Sequence, residues 1–129
     1  MLLEMLFTFH RLFKTGNYAE VSNGYQRRVF NNARYLQTLH DNNIRGVLYN
    51  GDVDMACNFL GNQWDIEELE FEDLGPSYQW HVNGQIAGFV KRYELLDFVT
   101  VKGSGHMVPT DKPAEALHLI DSFVKNQDY

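Results

Sequence analysis

Gly46-Val47-Leu48-Tyr49-Asn50-Gly51-Asp52-Val53-Asp54 is a short apolar run that ends on a glycine and two acidic residues. Consecutive apolar residues without alternation suit a strand covered on both faces, as in a parallel sheet. Gly51 permits a sharp exit, so the carboxylate of Asp54 is expected at the strand's carboxyl end. Upstream, Tyr25 to His40 carries Val29, Phe30, Ala33, Leu36 and Leu39 at the spacing of a helix with one buried face, and Asp41-Asn42-Asn43 breaks it. Downstream, Asn58 to Glu70 reads as a helix and Glu67 to Asp73 with Gly75-Pro76 as an acidic loop. Gln85 to Tyr93 and Leu95 to Lys102 read as strands, the second running through Phe98-Val99-Thr100-Val101 into Gly103-Ser104-Gly105-His106. In the last element Thr110 or Asp111 is the expected helix cap, Pro113 lies in the first turn, and Pro113, Leu117, Ile120 and Val124 form the expected buried face.

Helix, strand, Asp loop, helix, two strands, His loop, helix is the order of an α/β protein with an incomplete, mostly parallel sheet and flanking helices. Open sheets of this kind gather their chemistry at the carboxyl ends of the strands. A parallel strand at Val47 needs neighbours on both edges. The strands at Val47 to Tyr49 and Phe98 to Val101 are therefore expected to expose apolar surface that further sheet would cover.

The chain has 129 residues, 44% of them hydrophobic, which allows one modest core. Eleven Lys and Arg stand against 17 Asp and Glu, a formal charge of -6, and no basic run exceeds Arg27-Arg28 or Lys91-Arg92. Nucleic acid is thus not an expected partner. Met1 to Phe13 is rich in Leu, Met and Phe but too short to span a membrane, and with Glu4 and no cationic leader it makes a poor signal peptide. No membrane partner is expected. The single Cys57 has no internal disulfide partner.

Taken alone, Asp52 and Asp54 read as turn residues bonding nearby backbone N–H groups, and His106 as a surface or structural histidine. Together they gain weight, because an acid loop followed by a histidine loop, each after a strand, is the second half of the nucleophile, acid, histidine order of α/β-hydrolases. The acid would orient the imidazole and stabilise its cation, while the histidine takes and returns a proton. The sequence holds no G-x-S-x-G, and none of Ser22, Ser77, Ser104 and Ser122 has the context of a nucleophile elbow. Cys57 reads as a partly buried packing or pocket-lining thiol rather than a nucleophile. Glu67, Glu68, Glu70, Glu72 and Asp73 lack ligand spacing with any histidine and read as solvated surface, so neither metal nor cofactor is expected. His10, His40, His81 and His118 have no setting comparable to that of His106.

The stretches Leu48 to Phe59 and Val101 to Pro113, with Gln85 to Lys91 between them, closely resemble serine carboxypeptidases, and the animal lysosomal branch in particular. The resemblance runs from about Glu20 to the C-terminus and leaves residues 1–19 unmatched. It implies that residues 20–129 are the C-terminal portion of an α/β-hydrolase domain that removes C-terminal residues from peptides. Asp54 would be the triad acid, His106 the triad histidine, and Cys57 and Met107 would line the pocket for the substrate's terminal side chain. The family's serine sits in a G-E-S-Y-A-G elbow far upstream, with most groups that hold the terminal carboxylate.

The resemblance therefore implies a complementary N-terminal chain bearing the serine, as in members cleaved into two associated chains, or else a fragmentary gene product. It also implies a lysosomal or secreted setting and a parent able to form homo-oligomers. Ser22 stands where a family cysteine is expected, which puts the usual long-range disulfide in doubt. The chain alone is expected to be inactive. The rival reading is a catalytically inactive fragment acting as a binding module.

Overall fold

The computed structural model describes residues 33–129. Residues 1–19, Ser22 and the first part of the helix expected from Tyr25 lie outside the described residues. The elements are α1 (Ala33–Asp41), β1 (Gly46–Gly51), α2 (Phe59–Glu67), β2 (Tyr78–Val82), β3 (Gln85–Tyr93), β4 (Leu96–Val101), α3 (Val108–Asp111) and α4 (Pro113–Lys125).

One four-stranded sheet has the order β1-β4-β3-β2. β1 runs parallel to β4, with Leu48 opposite Phe98 and Gly51 opposite Val101, so both strands end at the same side of the sheet. The other two pairs, β4 with β3 and β3 with β2, are antiparallel. The sheet is thus mixed rather than mostly parallel. Only Asn83-Gly84 joins β2 to β3 and only Glu94-Leu95 joins β3 to β4, and a parallel crossover needs a dozen residues or more.

Strand β2 is an element that the sequence reading left out. Its signal was Asn83-Gly84, whose φ values of 51 and 74 are those of a two-residue type I′ hairpin turn.

All six residues of β4 are buried. Val99 and Val101 face a cluster with Trp80, Val90, Val108 and Leu119, while Leu96 and Phe98 face a second cluster with Ile66 and Tyr93. Alternate residues of one strand thereby serve two layers. The expectation that Phe98 to Val101 would expose apolar surface is overturned, because β1 and β3 occupy both edges of β4 and helices cover its faces. In β1, Val47 and Leu48 are half-buried and Tyr49 is exposed.

Helix α4 also differs from expectation. Its buried residues are Leu119 and Ser122, with Ala116 packed against the first cluster, whereas Leu117, Ile120 and Val124 are 72%, 45% and 75% exposed. Leu117 and Leu119 lie about 200° apart around the helix, so only one of the two stripes can face the sheet. Small Ala116 packs against the cluster of the fully buried Trp80, whose ring stacks on His118. Neither Thr110 nor Asp111 caps α4, since both belong to α3 and the residue before Pro113 is Lys112, which makes no side-chain cap bond.

Candidate active site

The parallel pairing of β1 and β4 sets two loops side by side. Asp52 N donates to Val101 O at 3.1 Å and Val53 N to Ser104 O at 3.1 Å. Asp52 Oδ1 accepts from Gly103 N at 2.6 Å, tying the first loop to the second a second time. The loops touch backbone to backbone at Gly51, where a Cβ would lie 2.1 Å from Ser104 O.

From the first loop, Asp54 turns inward and is buried. Its Oδ1 accepts from Ala56 N at 2.8 Å and Cys57 N at 3.1 Å. Its Oδ2 lies 3.0 Å from His106 Nδ1. The backbone N–H of Cys57, then the bond to His106, hold the Asp54 carboxyl below the usual carboxylate range. Behind this turn, Asn50 donates to Cys57 O at 2.9 Å and accepts from Asn62 at 2.8 Å, so β1 and α2 both fix it.

From the second loop, His106 presents a ring that is 48% exposed to an Asp54 side chain that is 5% exposed. With Nδ1–H donating to Asp54, the lone pair of the ring is on Nε2. Asp111 holds this loop from the far side: its Oδ2 accepts from Gly105 N at 2.9 Å and from Ser104 Oγ at 3.3 Å. Ser104 is fully buried.

Asp52 and Asp54 bond backbone N–H groups, as expected of turn residues, and Asp54 also meets His106. Cys57, expected to be partly buried, is exposed. Its sulfur, a carboxylate oxygen of Asp54 and a ring nitrogen of His106 all lie within 4.8 Å of one another. Met107, next to His106, is 37% exposed. Sequence reasoning missed Asn50, Asn62 and the long-range use of Asp52 and Asp111. Polar residues at a strand end and just after a histidine loop were the available signal. His40 stacks on Phe71 and lies 3.2 Å from Glu94, and in the acidic stretch Asp73 pairs with Lys91. Among the described residues, no helix is long and apolar enough to cross a membrane.

A mixed sheet with flanking helices, carrying an acid and a histidine on loops after two parallel neighbours, is a portion of an α/β-hydrolase fold. The chain belongs to the serine carboxypeptidase family, whose model, described as "Serine carboxypeptidase", matches residues 13–126. It is 41% identical to the lysosomal protective protein of Mus musculus over 110 residues, covering 80% of this chain and 23% of the mouse protein. It is 40% identical to a serine carboxypeptidase of Caenorhabditis elegans over 119 residues, covering 85% of this chain and 25% of that one. Among solved structures, a prohormone-processing carboxypeptidase from Saccharomyces cerevisiae superposes with a TM-score of 0.65 at 30% identity, over 73% of this chain and 22% of the yeast chain. The chain thus spans about a quarter of the length of these relatives.

Proposed function

We propose that this chain supplies the acid and base of a serine carboxypeptidase that releases C-terminal residues from peptides. His106 is the general base and then the general acid, Asp54 orients it and stabilises its cation, and the attacking serine comes from a segment outside these 129 residues. The observation that carries this reading is the 3.0 Å contact between Asp54 Oδ2 and His106 Nδ1, with Asp54 Oδ1 anchored by two backbone N–H groups. A carboxylate so anchored leaves the imidazole one tautomer and one orientation. Cys57 and Met107, both exposed beside His106, line the pocket for the substrate's terminal side chain. The setting is lysosomal or secreted, supported by the name of the mouse relative.

The test joins this chain to an upstream segment bearing a serine elbow and measures amino-acid release from a blocked dipeptide. The joined protein is expected to be active and the chain alone silent. His106→Ala is expected to lower turnover by about a thousandfold or more, since nucleophile and base act as one unit. Activity in the chain alone that survives His106→Ala refutes the assignment.

A further inference from the structure

We propose that Asp54, Cys57 and His106 also form a three-donor site for a zinc-class divalent cation, with the fourth coordination position open to solvent. The turn Asp54-Met55-Ala56-Cys57 folds the thiol back toward the carboxylate, because Cys57 N and Ala56 N both bond Asp54 Oδ1. His106 reaches the same point from the other loop. One ligand atom from each residue then lies within 4.8 Å of the other two. Tetrahedral zinc with sulfur, nitrogen and oxygen ligands needs donors about 3.3–3.6 Å apart. Exposed Cys57 can close the remaining distance by rotating its side chain, while the buried carboxylate stays fixed.

The donor chemistry selects the metal. A thiolate and an imidazole favour zinc and cobalt over magnesium and calcium, which take oxygen ligands. One thiolate and one carboxylate neutralise a divalent charge, and the neutral imidazole binds through Nδ1: the Nδ1–H bond to Asp54 is given up, that proton passes to solvent and Nε2 takes one up, so the ring changes tautomer with no net proton change. The thiolate is the ligand, so the Cys57 proton passes to solvent as the metal–sulfur bond forms. No electron changes hands. An occupied site engages His106 and Asp54 and is therefore exclusive with their acid–base role. That consequence rests on the function proposed above, while the binding itself does not.

Cobalt(II) is the probe, titrated into the full chain at about neutral pH with a thiol-free reductant, since cobalt–thiolate bonds absorb in the near ultraviolet. The expected result is one cobalt per chain with a charge-transfer band and four-coordinate visible bands. Zinc should displace the cobalt, and excess magnesium should not. Cys57→Ser should abolish the charge-transfer band. His106→Ala and Asp54→Asn should each weaken binding by at least about tenfold, the scale seen when the surroundings of a metal site are disturbed.

Absence of the band at millimolar cobalt overturns the proposal. So does a band whose affinity is unchanged in His106→Ala, which would mark an isolated thiolate. Fluorescence of the buried Trp80 checks that each variant is folded, and if Asp54→Asn is not, the half-exposed His106 carries the comparison. The His106 Nδ1–H proton resonance of the metal-free chain is read in the same samples. Its presence without a cobalt band sinks the metal site alone, whereas its absence sinks the acid–base reading.

Discussion

Replacing Gly51 with alanine would set a methyl carbon 2.1 Å from the carbonyl oxygen of Ser104 and 2.3 Å from that of Gly105. Both neighbours are backbone atoms, so no side-chain rotation can relieve the contact, and the two loops must separate by roughly 1 Å to reach ordinary van der Waals distance. Overpacking of this kind costs about 1–3 kcal/mol. The bonds from Val53 N to Ser104 O and from Gly103 N to Asp52 Oδ1 span the same contact, and weakening them adds about 1 kcal/mol. The total is about 3 kcal/mol. Urea unfolding followed by the fluorescence of buried Trp80 measures it, and with a slope near 1.5 kcal/mol/M the midpoint should fall by about 2 M. Gly61→Ala is the control: it lies inside α2 with nothing within 4 Å of the added carbon, and should be neutral or stabilising by up to about 1 kcal/mol. Because the Asp54 and His106 loops meet at Gly51, Gly51→Ala should also weaken the His106 Nδ1–H proton signal. A midpoint for Gly51→Ala within about 0.3 M of the wild type would refute the claim that this glycine sets the spacing of the loops.

Asp54 has a lower carboxyl pKa folded than unfolded, so its contribution to stability is present above the ordinary carboxylate range and is lost as pH falls through the lowered value. Asp54→Asn should therefore be less stable near pH 6 and show a flatter loss of stability below about pH 4, read from urea midpoints between about pH 6 and pH 2. The slope should not vanish, since Asp73, lowered by Lys91, has the same sign. Identical slopes in wild type and variant would remove Asp54 from the acid limb. On α4, Leu119→Ala should cost about 2–5 kcal/mol while Leu117→Ser stays within about 0.5 kcal/mol, and equal losses in thermal melts would contradict the observed face.

Local pattern sufficed for the elements that hold the candidate site. The run Gly46 to Gly51 is a strand as expected, Phe98 to Val101 lies in a strand, and the loops of Asp54 and His106 follow them, because apolar continuity and a terminal glycine act over a few residues. The hairpin turn at Asn83-Gly84 is equally local, carried by a dipeptide that favours positive φ. Long-range competition decided the rest. In α4 the stripe of Leu117, Ile120 and Val124 is as periodic as that of Ala116, Leu119 and Ser122, and the face that is buried is the one that packs on the cluster around Trp80, which no helical window contains. Asp111 looked like a cap for the helix after it but instead accepts from Gly105, and the exposure of Cys57 depends on a turn fixed by Asn50 and Asn62 from two other elements. Asp54 and His106 lie 52 positions apart in the chain, and the parallel register of Gly51 with Val101 is what brings them within 3.0 Å.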